Sequence, residues 1–178
     1  MKPWFIATEK FDKTDSGWDK YIDWSGLKQL DEVVSVGSLC GTVLPDIKSD
    51  YWGHIVNEDY MLNFFVDEEY LRGLVSHIQR KNFLCVFRNP EFHPSEKIPK
   101  GFDFVGYDFV DKDADISALT NCGGFPDAFS NDELSVKGLL TSFDRAKQAQ
   151  ADLRRLHPED FHADCDLWAI FRSTELSA

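Results

Sequence analysis

Cys165-Asp166-Leu167-Trp168-Ala169-Ile170-Phe171-Arg172 decides the fold class. The run is short, mostly apolar and aromatic, and reads as a buried strand. Just upstream, Phe161-His162-Ala163-Asp164 links this strand to a helix that stops at Leu156-His157-Pro158, because proline cannot continue it. The spacing predicts that helix over 131–157. Ser130-Asn131-Asp132-Glu133 matches a capping box, and Val136, Leu139, Leu140, Phe143, Ala146, Ala149, Leu153 and Leu156 recur at helical intervals. Gly138 costs up to ~1 kcal/mol there relative to alanine, so the first turns can form a separate short helix.

Further upstream, Phe83-Leu84-Cys85-Val86-Phe87-Arg88 is almost continuously apolar and halts at Asn89-Pro90. A strand inside a sheet, covered on both faces, produces such a run. Phe102 to Val110 alternates in part and forms another strand, and Pro3 to Thr8 is a shorter one. A helix is expected over 67–81. Asp67 caps it, Glu68 and Glu69 occupy its positive first turn, and Arg80 and Lys81 sit at its negative end. Its buried stripe is Tyr70, Leu71, Leu74, Val75 and Ile78. Residues 18–30 suggest two short helical pieces, residues 32–41 a strand or tight connection, and residues 60–66 a strand or short buried helix. Together these elements predict one α+β domain over residues 1–178, a largely antiparallel sheet with the two helices packed on it.

At 178 residues the chain can bury roughly 70% of its unfolded surface in one core. Apolar residues at 43% and aromatics at 14% exclude general disorder. Acidic residues number 31 against 19 basic, a net charge of −12. That field repels phosphate backbones and anionic bilayers, which argues against nucleic acid or membrane as partner and for a basic protein or a cationic ligand; plain solubility also accounts for it. The amino-terminal residues lack a signal-peptide core, and no apolar run reaches the roughly 18 residues of a membrane helix, so a cytoplasmic protein is expected. Cys40, Cys85, Cys122 and Cys165 are far apart and form no CxxC pair, which favours free thiols.

Four constellations carry chemistry. Cys122 with His162 as base, oriented by Asp164 or Asp166, would be a thiol nucleophile; the amides of Asn121, Gly123 and Gly124 would form an anion-binding nest beside it. The alternative is a structural thiol in a Cys-Gly-Gly turn. His157, His162 and Cys165, with Cys122, offer a mixed nitrogen and sulfur set, but their spacing matches no standard zinc site; neither metal nor cofactor is expected. Asp108, Asp111, Asp113 and Asp115 imitate half of a calcium loop. Ile116 and Cys122 stand where that loop needs glycine and glutamate, so an exposed acidic strand end is the better expectation, with a patch that meets a basic partner as its functional alternative. Finally, Trp18, Tyr21 and Trp24, and then Tyr51, Trp52 and His54, are either core or a binding surface, with Glu58 and Asp59 close behind.

The blocks His54-Ile55-Val56-Asn57-Glu58-Asp59-Tyr60, Leu84-Cys85-Val86-Phe87-Arg88-Asn89-Pro90, Ala118-Leu119-Thr120-Asn121-Cys122-Gly123-Gly124-Phe125-Pro126 and His162-Ala163-Asp164-Cys165 through Arg172 resemble a family of bacterial conserved hypothetical proteins, over residues 32–172. The resemblance implies a bacterial, intracellular, single-domain protein and brings no activity with it. The leading expectation is a non-catalytic binding protein that meets a basic partner, by analogy of charge and size with toxin-neutralising immunity proteins. The alternatives are a thiol-dependent enzyme built on Cys122 and His162, and a small-molecule sensor using Trp18, Trp24 and Trp52.

Overall fold

The structure is a computed structural model describing residues 2–37, 39–56, 63–94, 98–111 and 115–175. Strands β1 (Trp4–Glu9) and β2 (Phe11–Asp12) come first, then helix α1 (Trp18–Ser25) and strand β3 (Glu32–Val33). Helix α2 (Glu68–Val75) leads into β4 (Lys81–Arg88) and β5 (Phe102–Val110). Helix α3 (Phe143–Leu156) and strand β6 (Asp166–Ser173) follow. The main sheet has the order β1-β4-β6-β5 and is antiparallel throughout; β2 and β3 form a small hairpin. This is the expected α+β body, a four-stranded antiparallel sheet with helices packed on it.

The two apolar runs are the two inner strands. β4 pairs with β1 on one edge and β6 on the other, and β6 pairs with β4 and β5. Alternate side chains therefore feed two cores. Phe83, Cys85 and Phe87 join Leu167, Ala169 and Phe171 on one face. Leu84 and Val86 join Trp168 and Ile170 on the other, where Trp168 stacks on Phe64 with centroids 4.8 Å apart. The first face is covered by α2, through Leu71 and Val75, and by α3, through Ala146, Ala149 and Leu153.

Both helices are shorter than their sequence patterns suggest. Asp67 caps α2 by accepting from the Tyr70 amide at 3.0 Å, as expected. Lys81, however, already opens β4 opposite Glu9, and Arg80 is drawn to Asp12 and Asp15 at 2.9 and 2.6 Å. Strand pairing and ion pairing thus take the residues that would have been the last turn. The Ser130 capping box does form, but on a single 3-10 turn, Asn131–Glu133. Beyond it Leu134 is extended, and residues 135–138 form a turn closed by the Gly138 amide donating to the Ser135 carbonyl at 2.9 Å. Leu139 and Leu140 enter opposite cores, a period of two, while Val136 faces solvent. Leu140 exchanges two backbone hydrogen bonds with Tyr107 of β5, at 2.7 and 3.2 Å. Ser142 then caps α3 through the Arg145 amide at 3.3 Å. Residues 60–62 of the expected strand or short helix at 60–66 lie outside the described residues. Among the described residues no helix is long and apolar enough to cross a membrane.

Candidate functional site

His162 sits in a 3-10 turn, Phe161–Asp164, that follows α3. Asp160 accepts from the His162 backbone N–H at 2.9 Å and lies 2.8 Å from ring Nδ1. These bonds, the backbone one first, hold the Asp160 carboxyl below the usual carboxylate range. Asp164 is exposed, and Asp166 is engaged by Arg88 at 2.9 Å. The ring is thus oriented by Asp160, and the expectation for Asp164 or Asp166 is corrected. A capping aspartate two residues before a histidine was the available signal. The imidazole is buried edge-on against Phe125 with centroids 5.3 Å apart, and its Nε2 has no hydrogen-bond partner among the described residues.

Cys122 does not meet that nitrogen. Its thiol donates to the Ala118 carbonyl at 2.8 Å, and no hydrogen bond among the described residues joins it to His162. Burial pushes the thiol up to about 11; the Gly124 amide opposes this, and Asp160 and Asp108 add to it. Only about one thiol in ten thousand is then thiolate at pH 7. Gly123 and Gly124 take left-handed φ values of 83° and 91°, which only glycine adopts freely. The loop folds onto Tyr21, whose hydroxyl donates to the Thr120 carbonyl at 2.8 Å. The Asn121 amide is used by the Ser117 carbonyl at 3.0 Å. A void of about 10 Å³ beside Gly124 and Asn131 has room for one water at most. Cys122 is therefore expected to alkylate at pH 7 far more slowly than a free thiol, and to accelerate steeply above pH 10. Mass spectrometry of each cysteine after timed iodoacetamide treatment checks this, and rapid labelling of native Cys122 at neutral pH would refute it.

The acidic strand end is mostly a structural anchor. Asp108 is fully buried and accepts from Ser35 Oγ at 2.5 Å, Ser117 Oγ at 2.6 Å and the Phe109 amide at 2.8 Å. Burial nevertheless raises its pKa to about 6. Asp115 is likewise raised to about 6, by burial first and by Asp111 second. Asp111 is buried rather than displayed, and Asp113 lies outside the described residues. Among the described residues no group of three or more histidine, cysteine or acidic side chains could hold a metal ion.

The aromatic candidates divide. Trp18 and Tyr21 are core, packed with Phe11, while Trp24 is exposed. Trp52 is 69% exposed, on a loop that is braced at several points. His54 stacks on Tyr70 of α2 with centroids 3.7 Å apart, and its Nδ1 lies 3.2 Å from Asp67. The Tyr70 hydroxyl donates to the Asp50 carbonyl at 2.9 Å, and the Val66 amide to the His54 carbonyl at 2.8 Å. Tyr51 is buried beneath, edge-on to Phe65. Ile47 and Val66 are also exposed, and so are Asp46, Asp50 and Glu69.

No family model, curated protein or solved structure matches the chain. Function has to be argued from the geometry alone. The structure brings His54, two residues after Trp52, together with Val66, Asp67 and Tyr70, which the sequence places in a loop, in a strand or short helix, and in a helix. The aromatic pair Tyr51-Trp52 directly after Asp50, in a polar loop that also carries Asp46 and Ile47, was the signal that could have marked this surface. Glu58 and Asp59, expected to share it, lie outside the described residues.

Proposed function

We propose that the protein is a non-catalytic, intracellular binding protein whose acidic surface captures a basic protein partner through the loop bearing Trp52. The observation carrying this reading is a tryptophan 69% exposed on a loop clamped to α2, with Ile47 exposed earlier in the same loop and Val66, bonded to the His54 carbonyl, exposed as well. A large aromatic held in place before binding loses little entropy on docking, which is how interface anchors act. The exposed Asp46 and Asp50 of this loop and Glu69 of α2 outnumber the exposed Lys48, and a guanidinium or ammonium over the Trp52 ring would gain a cation–π contact. The net charge of −12 adds long-range steering, the arrangement expected of a protein that neutralises a basic target. The half-buried Cys122 thiol, raised to about 11 and turned toward the Ala118 carbonyl, gives the competing thiol-enzyme reading little support.

The test is capture from cell lysate on the immobilised chain, followed by kinetics with the purified partner. The partner is expected to be basic and to associate more slowly as salt rises. Trp52→Ala is expected to weaken it by about 2 kcal/mol, mostly through faster dissociation. Capture of no basic protein, an on-rate indifferent to salt, or unchanged affinity in W52A would each overturn the proposal.

A further inference from the structure

A cleft of about 380 Å³ opens at the end of the sheet where β1 finishes, β4 begins and β6 ends; Lys10, Glu32, Lys81, Asn82, Arg172 and Ser173 are among its walls. Thr8 and Asn82 are paired across β1 and β4, so their side chains leave the same sheet face. Farther along that face the corresponding positions are Ile6, Leu84 and Ile170 of the apolar core. The two polar residues break that pattern, yet they are 0% and 1% exposed. Among the described residues neither Thr8 Oγ1 nor Asn82 Nδ2, both buried, has a hydrogen-bond partner. Buried polar groups are almost always satisfied, so two such atoms on adjacent strands call for an explanation.

The surroundings set the chemistry. Arg172 Nη1 lies 2.8 Å from each carboxylate oxygen of Glu32 and 3.4 Å from Asn82 Oδ1. That contact occupies the oxygen of the Asn82 amide and leaves its NH₂ as the group wanting an acceptor. Lys10, Lys81 and Arg172 set three positive charges against Glu32 and Glu175, in a chain that is strongly acidic elsewhere. The Lys81 ammonium donates to the Ile78 carbonyl, and burial lowers its pKa, with Arg72 adding to the effect. An anion in the cleft would offset that cost. We propose that the cleft binds a small anion, a carboxylate or phosphoryl group whose oxygens accept from Asn82 Nδ2 and from the ammonium groups of Lys10 and Lys81. This site is separate from the Trp52 loop and independent of the partner proposed for it.

The experiment is an NMR titration of the isotope-labelled full chain with sodium phosphate and, separately, with sodium succinate. Sodium chloride holds the ionic strength constant. Saturable shifts of the Asn82 side-chain amide, accompanied by the Lys81 and Ser173 backbone amides, are expected with at least one probe. Saturation by phosphate alone assigns a phosphoryl group, and by succinate alone a carboxylate. Lys10 lies at the rim, so Lys10→Gln should keep the fold and weaken the affinity about tenfold. The proposal is overturned if neither probe moves the Asn82 amide saturably, if chloride alone reproduces the shifts, or if K10Q binds as the parent does.

Discussion

Alanine at Gly106 is expected to lower the unfolding free energy by ~3 kcal/mol or more. Gly106 stands where the β5–β6 register shifts between Phe104 and Gly106, with φ at 151°, a conformation that L side chains rarely adopt. A Cβ there would lie 2.5 Å from Leu139 Cβ and 2.9 Å from the Leu140 carbonyl oxygen. Neither obstacle is the end of a flexible side chain. The carbonyl is fixed by its 2.7 Å hydrogen bond from the Tyr107 amide, and Leu139 is locked in the second core. Relief requires residues 139–140 to leave β5, which would undo the connection into α3. Gly73 is the control. It is exposed in α2 with open space around its Cβ, so alanine there is expected to stabilise by about 0.5–1 kcal/mol. Urea unfolding of both variants checks the pair, and a G106A midpoint within error of the parent would sink the close-approach argument.

The same place shows where sequence reasoning met its limit. β4 and β6 were legible because a strand covered on both faces must be apolar almost throughout, and few other structures of that length need to be. The start of α2 was legible because Asp67 caps locally, whatever the rest of the chain does. The region before α3 was not. Val136, Leu139 and Leu140 fit a helical stripe as well as they fit an extended segment, and the deciding contact is with Tyr107, some thirty residues earlier. The capping box at Ser130 is real, but a cap only starts a helix; Leu134, already extended, ends this one after a single turn, and Gly138, with φ at 78°, belongs to the separate turn that follows.

The candidate sites divide along the same line. Cys122 and His162 carry suitable chemistry, but a pattern of residue types says nothing about direction, and the thiol turns toward the Ala118 carbonyl. Asp160 was missed as the partner of His162 because the pairing belongs to a capped turn, whereas Asp164 and Asp166 stood closer to the strand. Trp52 was visible as a residue but undecided between core and surface, because a long aromatic side chain serves in either place. Its exposure follows from Tyr51 next to it taking the buried position against Phe65.

The second large effect concerns Asp108. Alanine there is expected to cost ~3–5 kcal/mol, because it leaves three buried donors without their acceptor. The loss spreads beyond β5. Ser35 Oγ, which donates to Asp108, also accepts from the Gly37 amide at 3.3 Å, and Ser117 Oγ accepts from the Leu119 and Thr120 amides at 3.2 and 3.3 Å. One carboxyl group thus fixes two serines that each hold a turn, including the one leading into the Cys122 loop. Asparagine tells a different story. It keeps an acceptor for one serine and offers a donor to the other, and it never ionises. Burial raises the Asp108 pKa to about 6 from an ordinary 3.8, so the folded protein holds this proton more tightly than the unfolded chain does. The resulting stability is fully present below about pH 4 and is lost as pH rises through about 6, a change of roughly 3 kcal/mol for this group. Asp115 contributes in the same direction, reduced by its greater exposure. Carboxyls lowered by hydrogen bonds, such as Asp12 at about 2, oppose it and lose stability in stronger acid. The parent is therefore expected to be most stable near pH 5, while D108N should match it at pH 4 and exceed it at pH 7. Denaturant unfolding across that range measures the difference directly. Parallel pH profiles for the two proteins would mean that Asp108 stays ionised in the fold, with the two serine hydroxyls sufficient to hold its charge.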